Sequence, residues 1–461
     1  MDLQNLISIF TTFLFLFMLL KIAMKKFSSS KDITNLPPGP RKLPIIGNMH
    51  NLVGSMPHEC LRNLASKYGP LMHLKLGEVS HIIVTSPEMA QEIMKTQDLN
   101  FCDRPNLLFA RVMNYNRTAI AFGPYGEYWR RVRKICTTEL LTAKRVQSFR
   151  HIREAEVSEL VKAISQSEGV LLEMMSRDKT KLEELHLKSD KIVQGIIDDH
   201  KNKKGGKCEE EADDEDLVDV LLKFQQKDSE YPLTNDNIKA VIQDIFAGGG
   251  ETSSAVVEWA MAEMIKKPKV MEAAQAEVRR VYGSKRYVDE SELHQLTYLK
   301  CIIKETLRLH PSVPLLLPRE NREPCQIKGY QIPANSRIVI NAWAIGRDPR
   351  YWVDAMEFKP ERFVDNYSID NRGTSFEFIP FGGGRRMCPG IAFATPNMEL
   401  PLAQLLYHFD WKLPNGIKNE ELDMSQTLSL QESLLTIAKT LSLATMEIIG
   451  GTYERYAPWN Y

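Results

Sequence analysis

Apolar residues fall into three patterns along the chain. The first is continuous: Leu3 to Leu20 carries no charge and is rich in Leu, Ile and Phe. A membrane-spanning helix needs about 20 mostly apolar residues, and Lys21, Lys25 and Lys26 follow at once. A cleaved leader places its positive charge before the apolar run. The pattern therefore predicts one uncleaved anchor over residues 1–22, with its basic side and all that follows in the cytosol. The second pattern is helical. It predicts helices over Pro57–Tyr68, Glu88–Gln97, Phe149–Gln166, Leu182–His200, Thr234–Lys266, Leu296–His310 and Ala392–Tyr407. Ser86 caps the second of these, and Thr234 or Asn235 caps the long one. The third pattern is alternation. Met72, Leu74 and Leu76 alternate with His73 and Lys75, and Ile82–Val84 follows Gly77-Glu78, so Leu71–Thr85 holds two strands. Gly329–Pro333, Arg337–Ile340 and Phe409–Leu413 read as further short strands, and Arg104–Ile120 as a loop. The fold expected is mainly α with a smaller β region.

Composition narrows the function classes. The 461 residues are 43% hydrophobic, enough for a large core in one to three domains. Basic and acidic residues balance at 59 each, which argues against a nucleic-acid partner. Seven scattered cysteines with no C-x-x-C pair fit neither a zinc site nor a disulfide framework, and suit a reducing compartment. Residues 23–40 form a basic, proline-rich hinge that ends in Leu36-Pro-Pro-Gly-Pro40, too dense in proline to be helical. The charged run Lys201–Asp216 is a solvated loop by composition.

Candidate chemistry concentrates in Phe378–Gly390. One cysteine, Cys388, lies between Gly384 and Gly390, which let backbone N–H groups turn toward its sulfur. Arg385-Arg386 supplies positive charge that favours the thiolate. Such a loop suits one thiolate on one metal; a lone buried cysteine is the plain alternative. Trp129 and Arg133, at i and i+4, share a helical face. Gly248-Gly-Gly-Glu-Thr252 interrupts the long helix at a cost of about 1 kcal/mol per glycine. That cost makes sense if the helix bulges and opens a groove beside a ligand, where Glu251 and Thr252 pair a carboxylate with a hydroxyl.

Phe381, Gly384, Arg386, Cys388 and Gly390 match F-x-x-G-x-R-x-C-x-G, the haem-thiolate signature of the cytochromes P-450. The chain resembles that family from about Leu36 to Met424, with long helix, Glu305-x-x-Arg308, Pro360-Glu-Arg-Phe363 and cysteine loop in the family order. The resemblance implies a cytochrome P-450 fold in residues 41–424 and haem b, with Cys388 as its iron ligand. It also implies cofactor contacts at Trp129, Arg133, Gly249, Arg319, Phe381, Gly384, Arg386 and Gly390. Thr252 and Glu251 become the catalytic proton relay. Glu305, Arg308 and Arg362 become a buried structural triad. Arg104–Ile120 and Val313–Leu317 become substrate contacts.

The activity implied is monooxygenation. One atom of O2 enters a small lipophilic substrate, with electrons from NADPH delivered by NADPH-cytochrome P-450 reductase. The setting implied is the endoplasmic reticulum membrane, with lipid around the anchor. The hinge, the Glu251-Thr252 pair and Ala392–Asn397 resemble plant microsomal members that hydroxylate terpenoids, notably sesquiterpenes. Two stretches depart from the family. Ser165–Val170 runs straight into Leu171–Met175 where a roof helix is expected, and residues 425–461 do not resemble the family's terminal hairpin. They leave open an impaired variant of such an enzyme. A haem-thiolate isomerase or dehydratase that needs no reductase is the other alternative, and the Glu251-Thr252 pair argues against it.

Overall fold

The spacing at residues 57–68 gives α1 (Pro57–Tyr68) in the computed structural model of the chain, followed by β1 (Leu71–Leu76) and β2 (Val79–Val84). The structure describes residues 11–17, 35–166, 182–204, 215–227, 233–283, 285, 287–364, 369, 373–413, 418–422 and 424. Ser86 caps α2 (Pro87–Gln91), its Oγ accepting the Met89 N–H, and the chain continues through one π-helical turn, Glu92–Thr96. The stretch expected to be a loop contains a short helix, α3 (Leu108–Met113), and then three consecutive left-handed residues, Tyr115, Asn116 and Arg117.

Helices then dominate: α4 (Glu127–Ile135), α5 (Ala143–Ser148), α6 (Arg150–Gln166), α7 (Leu182–Lys204), α8 (Leu217–Lys227) and α9 (Asn235–Lys266). Thr234 caps α9 reciprocally: its Oγ1 accepts the Asn237 N–H (3.2 Å), and Asn237 Oδ1 accepts the Thr234 N–H (2.9 Å). Next come α10 (Pro268–Tyr282), α11 (Thr297–Leu309), β3 (Arg319–Glu320), β4 (Cys325–Ile327), β5 (Tyr330–Ile332), β6 (Arg337–Ile340), α12 (Ala342–Ile345) and α13 (Ile391–His408).

One sheet has the order β1-β2-β6-β3, with β6 parallel to β2 and His81 opposite Arg337. β4 and β5 form a separate hairpin. The largest core joins α6, α9, α10, α11 and α13 through Val157, Val257, Val278, Ile302 and Leu402. Each such side chain contributes about 1.5–3 kcal/mol on burial.

The end of the hinge is part of the domain. The Pro38 carbonyl accepts the His73 N–H (2.9 Å), and Gly39 lies so close to β1 that a Cβ would strike the His73 carbonyl. Phe409–Leu413 does not form the expected strand. A strand needs a partner ladder, and here Phe409 O instead accepts Gln275 Nε2 (2.9 Å) while Trp411 Nε1 donates back to Leu405 O (3.1 Å). Among the described residues no helix is long and apolar enough to cross a membrane. Residues 11–17 are helical; the rest of the expected anchor, the Val170 junction and residues 425–461 lie outside the described residues.

Candidate active site

Phe378–Gly390 is wrapped around one thiol. The Cys388 N–H donates to the Phe381 carbonyl (3.0 Å), and the Gly390 N–H donates to Cys388 Sγ (3.4 Å). Gly384 has φ +66°, and a Cβ there would run into the Met94 carbonyl, so only glycine permits the approach. Asp98 holds the same turn. Its Oδ2 accepts the Arg385 N–H (2.9 Å) and its Oδ1 pairs with Arg319 (3.2 Å).

The expected role of Arg385-Arg386 needs correcting. Burial pushes the Cys388 thiol above its ordinary value, opposed by the Gly390 N–H and by Arg133. Arg385 instead reaches toward Asp98, and Arg386 lies 4.0 Å over the Trp129 ring. The cation acting on the thiol comes from α4, not from the loop itself.

Four buried or half-buried guanidiniums surround the loop. Arg133 donates to Met387 O (2.6 Å), Arg319 to Gly383 O (2.7 Å), and Arg386 to Cys102 O and Gly123 O (both 2.6 Å). Arg104, which the sequence did not single out, donates to Ala121 O (3.0 Å), Leu317 O (2.7 Å) and Pro318 O (2.8 Å). Burial and the other three arginines hold Arg104 well below its usual value, and burial lowers Arg386 to about 10. Among the described residues only Arg319 of the four has an ion pair, with Asp98. Trp129 Nε1 is committed to Ile120 O (2.9 Å).

Uncompensated buried charge is costly. A group carrying two carboxylates would balance these guanidiniums, and a metal would deprotonate the buried thiol. The donor set therefore fits haem.

A brace stands behind the loop. Glu305 and Arg308 on α11 are fully buried and bidentate, both contacts at 2.7 Å. Arg362 Nε and the Lys359 N–H also donate to Glu305 Oε1 (2.9 and 2.7 Å). Arg308 spends its remaining donors on the carbonyls of Gly346, Ala355 and Glu357. It also lies over Trp352, which packs on Phe363 and Phe378, and Phe378 opens the cysteine loop.

α9 does not bulge at its three glycines; it runs unbroken. The Thr252 hydroxyl donates to the Gly248 carbonyl (2.5 Å), one turn back along the same helix. Ala247, Gly248 and Glu251 are exposed and Thr252 half-buried, a stripe at helical spacing. Gly249 and Gly250 face the packed side, so Gly248 is the glycine that opens outward. The stretch after α11 joins the two halves. Ser312 Oγ donates to Thr252 O (2.7 Å), and Leu316 borders Gly382.

The Cytochrome P450 family profile matches residues 37–174 and 167–438, most of the chain. The chain belongs to the cytochrome P450 family. That family comprises monooxygenases, and its fold implies a haem cofactor, dioxygen, a redox partner and a lipophilic substrate. The two matched segments meet where Ser165–Val170 abuts Leu171–Met175, and the second runs past Met424. A Glycine max protein, Cytochrome P450 71D10, is 57% identical over 93% of this chain and 96% of its own length. Premnaspirodiene oxygenase of Hyoscyamus muticus is 46% identical over 93% of this P450 and 96% of its own length. A zebra fish cytochrome P450 structure with progesterone superposes with TM-score 0.68 at 23% identity, covering 82% of this chain and 97% of that one.

Of the residues expected at the site, Trp129, Arg133, Arg319, Phe381, Gly384, Arg386, Cys388 and Gly390 meet in this P450's cysteine-loop half. Glu251 and Thr252 lie on the α9 stripe, and Gly249 on its packed face. Arg104, Asp98 and Ser312 escaped the sequence reading. An arginine before a proline, a lone aspartate and a serine after a helix carry no local signal; only the fold brings them in.

Proposed function

We propose that this P450 is a haem b monooxygenase of the plant terpenoid-hydroxylating kind, acting on a small lipophilic substrate such as a sesquiterpene. The observation that carries this reading is the Cys388 thiol, which accepts the Gly390 N–H and has Arg133 acting on it, in a loop where Arg104, Arg319 and Arg386 are also buried and, among the described residues, only Arg319 of the four forms an ion pair, with Asp98. Haem bound there supplies one-electron chemistry and activation of dioxygen. Cys388 Sγ would hold its iron, with the Gly390 N–H and Arg133 favouring the thiolate. Arg104, Arg133, Arg319 and Arg386 would hold its carboxylates.

The other roles fall to the open stripe of α9. Thr252 would turn its hydroxyl proton from the Gly248 carbonyl to the open side and give it up there, and the exposed Glu251 side chain would replace it with a proton taken from solvent. Substrate packs against Val313–Leu317 and the 104–120 region. Relatives named premnaspirodiene oxygenase and 5-epiaristolochene 1,3-dihydroxylase, at 46% and 45% identity, support the terpenoid class. The apolar run at residues 3–20 supports a membrane anchor, and with it the reading of an endoplasmic reticulum enzyme that draws its electrons from NADPH through a membrane-bound reductase.

The test is the reduced, CO-treated difference spectrum of the purified full chain, followed by turnover of a sesquiterpene hydrocarbon with NADPH and reductase. A thiolate–haem band and an NADPH-dependent hydroxylated product are expected. Absence of haem uptake overturns the enzyme reading, and conversion without reductase turns it toward an isomerase.

A further inference from the structure

Asp244 lies on α9, one turn before Gly248, on the same helical face as the open stripe. Its two oxygens face the segment Asn114–Ala121. Oδ2 accepts the Ala121 N–H (2.8 Å) and Oδ1 accepts Asn114 Nδ2 (3.2 Å); the Ile120 N–H also points to it. Burial pushes the carboxyl up to about 6, and these N–H donors oppose the rise.

The other side of the same two residues is bound by Trp129 and by two arginines of the cysteine-loop half. Ile120 O accepts from Trp129 Nε1 (2.9 Å) and Arg386 (3.4 Å), and Ala121 O accepts from Arg104 (3.0 Å). Ile120-Ala121 is thus held by its carbonyls from one half of the site and by its N–H groups from the other.

The segment is strained. Tyr115, Asn116 and Arg117 have φ of +45°, +57° and +68°. Consecutive left-handed non-glycine residues persist only where their surroundings over-determine them. A second tie holds the far end, where Tyr115 Oη donates to Asp190 Oδ1 of α7 (2.7 Å), with Lys239 on the same oxygen (2.7 Å).

We infer that Asp244 is a positioning residue: it fixes the 114–121 segment beside the α9 stripe and so sets the rim through which bulky substrates pass. The inference rests on the proposed monooxygenase reading only for what passes the rim. The tie itself belongs to the chain.

The experiment compares full-length wild type with Asp244→Ala, Asp244→Asn and Asn114→Ala. Native-state tryptic cleavage after Arg117 is measured with and without haem. Dissociation of clotrimazole, a bulky imidazole, is measured beside that of imidazole itself. Losing hydrogen bonds to a carboxylate predicts roughly tenfold faster cleavage and clotrimazole release in Asp244→Ala, with imidazole release little changed. Asp244→Asn, which keeps an oxygen for the Ala121 N–H, should recover most of the difference.

Equal acceleration of both ligands, or unchanged cleavage, overturns the proposal. If Asp244→Ala does not fold, Asn114→Ala decides, since it leaves α9 intact and should accelerate cleavage in the same direction. A chain that takes up no haem yet is cleaved faster overturns the monooxygenase reading and leaves the tie standing. A normal thiolate–haem band with unchanged cleavage does the reverse.

Discussion

The two halves of the site are built differently. The cysteine-loop half is closed by bonds from many elements: Glu305 takes donors from Arg308, Arg362 and Lys359, and Asp98 takes donors from Arg319 and Arg385. The α9 half leaves Ala247, Gly248 and Glu251 exposed and ties its hydroxyl to its own backbone. Holding a cofactor calls for a rigid, desolvated cradle, whereas admitting dioxygen and substrate calls for open space beside a proton source. The contrast predicts that damage to one half shows in cofactor retention, and damage to the other in turnover.

The largest expected effect is Cys388→Ala, which should abolish the thiolate–CO band entirely. A band that survives would mean another ligand. Glu305→Gln strands Arg308 and Arg362 without a counter-charge and should cost about 3–5 kcal/mol, read as a lower unfolding midpoint with lower haem content. Thr252→Ala should leave the band and the midpoint alone while product per NADPH consumed falls about 100-fold. A parallel loss of haem in that variant would dissolve the contrast between the halves.

Gly384→Ala forces a Cβ onto the Met94 carbonyl at a left-handed position, and should cost about 1–3 kcal/mol with partial haem loss. The smallest effect is remote from both halves. Burial opposes a charge on His200, but Asp216 (2.6 Å) and the Ile196 carbonyl outweigh it and raise its pKa above 6.5. The stability it gives is therefore full below pH 6.5 and lost as pH rises through the raised value. Wild type should exceed His200→Gln by on the order of 1 kcal/mol at pH 6 and converge with it at pH 9.

Much of this arrangement was legible in the sequence because it is written in local patterns. The alternation at Leu71–Leu76 and the capping signal at Thr234 became a hairpin and the long helix. The cysteine loop could be read because glycine, arginine and cysteine lie within one stretch. What sequence could not show is long-range. Arg104 joins the cradle only because Leu317 and Pro318 arrive beside it, and Arg133, not its neighbour Arg386, acts on the thiol. The glycines promised a bulge, but α9 runs unbroken through them, with Gly249 and Gly250 buried on its packed side. Phe409–Leu413 had strand-like composition and met no ladder among the described residues.

The cradle also dictates an order of events during synthesis. Arg133 meets the Met387 carbonyl across 254 positions, and Asp98 meets the Arg385 N–H across 287. At roughly 5–20 residues per second, the ribosome needs on the order of 10–60 s to deliver the second half of each contact after the first. Until then the arginines have no loop to close on, and the chain must carry their charge in water. Cofactor capture is therefore an event of the nearly finished chain, and a transcript stopped before residue 388 makes a protein with every cation and no place to put them.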